Sequence, residues 1–176
     1  MTKRKLVLFI AISLDGYIAT EDHQLDWLFS VEGEGDNGFA KFYGTVDTVL
    51  MGRTTFDWIC RQEPVEKIYA DKECYVFSRT ERPAINHIHF IHDNAAAFAK
   101  ELKQKDGKNI WVVGGGELLH AFIAEKLVDE IIVTVAPVLL GKGIPLFKDN
   151  DFQTRLALKE VNRMNQFVEL RYAVVR

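Results

Sequence analysis

Four apolar residues, Ile110-Trp-Val-Val113, run straight into three consecutive glycines, Gly114, Gly115 and Gly116. A helical apolar pattern of Leu118, Leu119, Phe122 and Ile123 begins directly behind them. This order predicts a buried strand, a tight glycine turn and a helix. It narrows the fold, because repeated units of this kind build a parallel sheet covered by helices. Glycines bring the backbone close to a ligand without interference from a Cβ. A helix starting behind them offers unpaired N–H groups and a positive dipole end, which suit a phosphate. The segment matches neither G-x-G-x-x-G nor a P-loop, since no Gly-Lys-Ser/Thr follows. Taken alone, it reads equally well as a strand-to-helix turn that holds nothing.

Strand-like and helix-like segments alternate along the rest of the chain. Residues 6–12 read as a buried strand, and residues 13–36 as a long polar connection broken by Leu25, Trp27, Leu28 and Phe29. Such connections in a compact domain cover a site or move. Phe39, Phe42 and Tyr43 suggest a short helix, residues 46–51 a strand, and residues 54–60 a helix that opens after Gly52. Residues 74–77 and 88–91 read as short strands, and Asn94 as the N-cap of an alanine-rich helix. Residues 131–135 form a β-branched strand, followed by a loop at 141–145. Residues 156–161 and 167–175 alternate at period two, which predicts a C-terminal antiparallel hairpin. Together these segments predict one three-layer α/β/α domain over residues 1–176, its central sheet mostly parallel.

Composition excludes several function classes. A net charge of -3 with scattered Lys and Arg provides no basic field for nucleic acid. Cys60 and Cys74 lack C-x-x-C spacing, so reduced thiols in a cytoplasmic protein are expected. Lys3-Arg-Lys5 before seven apolar residues imitates a secretory signal, but no small-residue cleavage site follows and the run cannot span a bilayer. No membrane partner is expected. His87, His89 and His92 look like a metal cluster, yet on a strand the third points away from the first two. With no acidic or cysteine partner at ligand spacing, no metal is expected.

Three predicted strand ends carry related chemistry. Gly52 is followed by Arg53, Thr54 and Thr55; Phe77 by Ser78 and Arg79; and Val113 by the three glycines and Glu117. Ligands of open α/β sheets lie outside the carboxyl ends of the strands. Amides, hydroxyls and two guanidinium forks gathered there suit a pyrophosphate and one further phosphate. A dinucleotide with an added 2′-phosphate fits that inventory. The plainer readings are surface ion pairs for Arg53 and Arg79, turn or capping roles for Thr55 and Ser78, and a helix cap for Asp36.

Ser13-Leu-Asp-Gly-Tyr-Ile-Ala19, Leu50-Met-Gly-Arg-Thr-Thr-Phe56, Phe77-Ser-Arg-Thr80, Val113-Gly-Gly-Gly-Glu117 and the stretch 129–137 occur in the order seen in the dihydrofolate reductase-like fold. The chain resembles most the branch holding the C-terminal reductase domain of the bifunctional riboflavin-biosynthesis deaminase/reductase. That resemblance implies an NADPH-dependent reductase and a homodimer acting on a small-molecule substrate. It implies that Gly52, Arg53, Thr54 and Thr55 bind phosphates, with Arg53 near the 2′-phosphate. Ser78 and Arg79 would lie along the adenosine. Gly114, Gly115, Gly116, Glu117 and Leu118 would wrap the pyrophosphate and nicotinamide portions, and Ile12 and Ile18 would flank the ring. Thr134 would line the substrate pocket. Dihydrofolate reductases place an acidic residue where this chain has Asn37, with Asp36 beside it, so these two are the candidate catalytic residues. Asn cannot supply that carboxylate, which argues against folate. The implied reaction is that of a 5-amino-6-(5-phosphoribosylamino)uracil reductase. The alternatives are another reduction on this scaffold or a nucleotide-binding homologue without catalysis. For the substrate's own phosphate, the Gly141-Lys-Gly143 loop is the candidate.

Overall fold

A computed structural model describes residues 3–176. In chain order the elements are β1 (Leu6–Ser13), β2 (Tyr17–Ala19), α1 (Asp26–Phe29), α2 (Phe39–Tyr43), β3 (Val46–Gly52) and α3 (Arg53–Gln62). They continue with β4 (Glu73–Phe77), β5 (Ile88–Ile91), α4 (Ala95–Leu102), β6 (Asn109–Gly114), α5 (Gly116–Ala124) and β7 (Glu130–Ala136). A two-residue strand, β8 (Ile144–Pro145), precedes the terminal hairpin of β9 (Leu156–Met164) and β10 (Phe167–Val174).

Eight strands form one sheet in the order β5-β4-β3-β6-β1-β7-β10-β9. It is parallel from β5 to β7, and the hairpin adds the antiparallel edge. The central strands are apolar on both sides, as strands sandwiched between helices must be. Leu6, Leu8, Leu50, Ile110 and Val112 face Leu102 of α4 and Leu119 and Phe122 of α5. Val7, Val49, Met51 and Trp111 face Phe42 of α2 and Phe56 of α3. The three predicted layers are therefore present. Asn94 caps α4 as its sequence context indicates, its Oδ1 accepting from the Ala97 amide at 2.9 Å.

The connection over residues 13–36 is more ordered than its polarity suggests. It contains β2 and α1, and β2 pairs antiparallel with β8 from the loop predicted at 141–145. These strands are too short for a period-two pattern to register. Their pairing depends on glycine: a Cβ at Gly143 would stand 2.4 Å from the Ala19 carbonyl oxygen. The hairpin also runs further than predicted, with β9 reaching Met164 and turning at Asn165, whose φ is 56°. One extra residue in β9 shifts its register against Arg171 and Tyr172 of β10, while β10 stays in step with β7.

Chain direction locates the crevice. From β3 the chain moves outward to β4, whereas from the adjacent β6 it moves the opposite way to β7. The following helices, α3 and α5, lie on opposite faces of the sheet. Neighbouring strands whose connections diverge leave a gap beyond their carboxyl ends, and the fold puts that gap between β3 and β6.

Candidate functional site

Two helices open into this gap from glycine caps. Gly52 is the N-cap of α3 and Gly115 the N-cap of α5, and neither helix start receives a side-chain cap. Their first N–H groups are thus left for something outside the helix. The backbones nearly meet: a Cβ on Gly52 would lie 3.8 Å from the Gly115 amide nitrogen. Cβ atoms on Gly114 or Gly115 would each lie 3.8 Å from the Thr55 hydroxyl oxygen, so this hydroxyl faces the glycine turn. Gly114 has φ 143°, a conformation that favours glycine, and the Gly114–Gly115 peptide is cis. On the far side of the turn, Gly116 packs against the main chain at the end of β8, where a Cβ would sit 3.2 Å from the Pro145 carbonyl oxygen.

Cations surround the turn. Arg53, in the first turn of α3, donates from Nε to Asp57 at 2.7 Å. Its two terminal nitrogens have no hydrogen-bond partner among the described residues. Arg79 is exposed just past β4. Glu117 in the first turn of α5 accepts from Lys148 Nζ at 2.8 Å. The Lys148 hydrogen bond and charge, with a smaller contribution from Arg79, hold the Glu117 carboxyl below its ordinary range. Lys148 escaped the sequence reading because nothing in Phe147-Lys-Asp-Asn150 distinguishes it from a solvated surface lysine. The Gly141-Lys-Gly143 loop is placed differently: Lys142 is 80 % exposed and meets Glu21 at 3.5 Å.

The remaining sequence-predicted residues divide into groups. Ser78 is buried, and its Oγ accepts from the Thr80 amide at 3.2 Å. Thr54 is exposed beside Arg53, and Leu118 is part of the α5 core. Ile12 and Ile18 are half-buried against the core on the α5 face. Thr134 is buried in β7 and pairs in register with Ala11 of β1. Asp36 spends both carboxylate oxygens on main-chain donors, Gly38 N at 3.0 Å and Ala40 N at 2.8 Å. Asn37, at φ 53°, turns its side chain back to accept from the Glu34 amide at 2.9 Å. The histidines have separate partners, His87 at the Ile68 carbonyl, His89 at Glu73 and His92 at the Ser78 carbonyl. Cys60 and Cys74 are free thiols, and burial pushes the Cys74 thiol up to about 12.

The fold and the motifs have counterparts among known proteins. The chain is 49% identical over 171 residues to the uncharacterized protein YwjB of Bacillus subtilis (strain 168), covering 97% of this chain and 98% of that one. It is 37% identical to the uncharacterized protein YyaP of the same organism, over 92% and 89% of the two chains. A crystal structure from Shewanella sp. PV-4, of a protein named for riboflavin biosynthesis, superposes with a TM-score of 0.86 at 28% identity, covering 98% and 99%. The Thermotoga maritima diaminohydroxyphosphoribosylaminopyrimidine deaminase/5-amino-6-(5-phosphoribosylamino)uracil reductase shares the fold, with a TM-score of 0.72 at 16% identity. This chain matches 57% of that longer protein. The sequence profile of the RibD C-terminal domain matches residues 4–169, and the chain belongs to that family.

Proposed function

We propose that this protein is an NADPH-dependent reductase that delivers hydride to a C=N or C=O of a small aminopyrimidine-like compound, in the manner of 5-amino-6-(5-phosphoribosylamino)uracil reductases. One observation carries the reading: two glycine-capped helix starts and the Thr55 hydroxyl converge at the point where the sheet's connections diverge. Side chains at Gly52, Gly114 and Gly115 would fill that space, and the donors around it match a pyrophosphate.

In this reading the amides of Gly115 to Leu118 and of Arg53 to Thr55 hold the pyrophosphate, with Thr55 Oγ as a further donor. The terminal nitrogens of Arg53 take the 2′-phosphate, and Asp57 keeps the guanidinium aimed. Ser78 and Arg79 lie along the adenosine. The Ile12 and Ile18 segments flank the nicotinamide and keep water from it. When bound, the nicotinamide supplies the hydride. Thr134 lines the substrate pocket, and Asp36 and Asn37 shape its rim as the start of α2. Because both Asp36 oxygens already accept main-chain N–H groups, a proton drawn from solvent fits better than one drawn from Asp36.

The reading includes a cytoplasmic homodimer. The two free thiols support the compartment. The dimer is supported by Leu156, Leu158, Val161 and Val168, exposed apolar side chains on the outer strands β9 and β10. Among the described residues no helix is long and apolar enough to cross a membrane.

Calorimetric titration with NADPH, using NADH as control, tests the cofactor. NADPH should be preferred, and Arg53→Ala should weaken NADPH by about tenfold or more while leaving NADH nearly unchanged, as expected when a charged hydrogen-bonding partner is lost. Absence of binding by either nucleotide removes the proposal. Turnover of 5-amino-6-(5-phosphoribosylamino)uracil then tests the substrate.

A further inference from the structure

Strand register draws a row of side chains across the sheet next to the proposed nicotinamide position. Ala11 of β1 pairs with Thr134 of β7, Thr134 pairs with Glu169 of β10, and Glu169 pairs with Asn162 of β9. Directly paired residues point to the same side of a sheet, so all four share one face. It is the α2 and α3 face, because Ile132, two residues before Thr134, belongs to the core there. The row lies near the carboxyl ends of β1 and β7, level with the glycine turn. Leu8 pairs with Val112, which sets Ile10 opposite Gly114.

Within the row, Glu169 holds the carboxylate. One oxygen, Oε1, accepts from the Asn162 amide at 3.2 Å, and the same amide donates to Glu160 at 3.0 Å. The other, Oε2, has no donor among the described residues. It points toward the start of α2: a Cβ on Gly38, the glycine N-cap of that helix with φ 78°, would lie 3.9 Å from it. A half-buried carboxylate with one oxygen anchored and the other aimed into a space kept open by glycine is arranged to receive N–H donors. Thr134 beside it offers a hydroxyl that can donate or accept.

Resting on the reductase reading above, we infer that Glu169 is the residue that recognises the substrate, accepting N–H groups of an amino-substituted heterocycle while Thr134 contacts its ring and Asn162 fixes the carboxylate. The substrate class is thus a ring presenting adjacent N–H donors, and a ring bearing only carbonyls in their place is disfavoured. Glu169 lies outside every motif, and its place follows from pairing across four strands.

The full chain saturated with NADPH is titrated with 5,6-diaminouracil and with 1,3-dimethyluracil, for wild type, Glu169→Gln and Asn162→Ser. Wild type should bind the diamino ring and discriminate against the dimethyl ring. Glu169→Gln should weaken the diamino ring by about tenfold, since charged acceptors make the stronger hydrogen bonds. Asn162→Ser, which removes only the anchor, should weaken it less, and NADPH affinity should stay within about twofold in every variant, a spread too small to signal a lost hydrogen bond. Unchanged affinity of the diamino ring in both variants overturns the inference, as does wild type binding both rings alike or neither. In each of those results NADPH binding is intact and the reductase reading stands. Loss of NADPH binding in wild type removes that reading and this inference together.

Discussion

Asp129, between α5 and β7, shows how a single carboxylate can tie distant segments. It accepts from the Leu6 amide at 2.8 Å, from Arg176 at 2.8 Å and from Lys103. Burial pushes its carboxyl up, but the bonds from Lys103, Leu6 and Arg176 together outweigh this and hold it below the ordinary 3.8. Burial also holds Lys103 below the ordinary lysine range, with Asp129 opposing it. A carboxylate lowered in the folded state contributes stability above its unfolded value, and that contribution is lost as pH falls through the lower folded value. Asp129→Asn leaves a buried lysine uncompensated and should lower the unfolding free energy at neutral pH by about 3 kcal/mol. The deficit should begin to shrink below about pH 4, where the carboxyl of the unfolded chain takes up a proton, and go on shrinking as the folded carboxyl follows at lower pH. Urea unfolding of both proteins between neutral pH and pH 3 reads this out, and a deficit independent of pH would argue against the ion pair as its source.

At the scale of elements, the β2–β8 ribbon stands apart from the eight-stranded sheet. Its base is braced by Asp15, which accepts from Ser13 Oγ at 2.6 Å, the Leu140 amide at 3.1 Å and the Gly141 amide at 2.8 Å. Ser13 in turn accepts from the Tyr17 amide at 2.9 Å. Those bonds, the Ser13 hydroxyl first, hold the exposed Asp15 carboxyl below its usual range. Asp15→Ala should speed hydrogen exchange at Tyr17, Leu140 and Gly141 while the amides of β1 and β6 exchange as before. Uniform acceleration along the chain would instead mark a global loss of stability. Gly143→Ala drives a methyl into the Ala19 carbonyl, and it should open the same ribbon and raise exchange at Ala19 and Ile144.

The same elements explain what a reader of the sequence can see. The glycine turn, the Asn94 cap and the Gly52 helix start are visible because their chemistry is local, each confined to a few consecutive residues. The ribbon escapes notice because β2 and β8 are too short to show a period and β8 contains Pro145. Lys148 and Glu169 escape for a different reason. One reaches the glycine turn from a loop 31 positions away, and the other faces Thr134 only through strand register. Asp36 stands in sequence as a candidate acid or helix cap, and the two main-chain bonds that occupy its carboxylate appear only once α2 is built.

At the scale of the molecule, the sheet ends differently on its two sides. β5 is a four-residue edge strand, and His89 within it meets Glu73 of β4. An edge strand this short offers few unpaired main-chain groups to another chain. The other edge, β9, is nine residues long and carries Leu158 at 56% and Val161 at 55% exposure. Register with Tyr172 and Leu170 of β10, which pair with Ile131 and Val133, puts both side chains on the α4/α5 face. Arg163, two residues beyond Val161 and paired with Val168, borders this exposed apolar stretch on the same face. A second copy of the chain meeting the first across a twofold axis would cover this surface with its own equivalent. Light scattering should therefore give twice the chain mass for the wild type, and the double substitution Leu158→Glu and Val161→Glu should shift it to the single mass, because like charges would face each other across the axis. The glycine turn lies four strands away from β9, so NADPH affinity of the monomeric variant should match wild type. A wild type that scatters as a single chain at micromolar concentration would instead leave this edge as plain exposed surface.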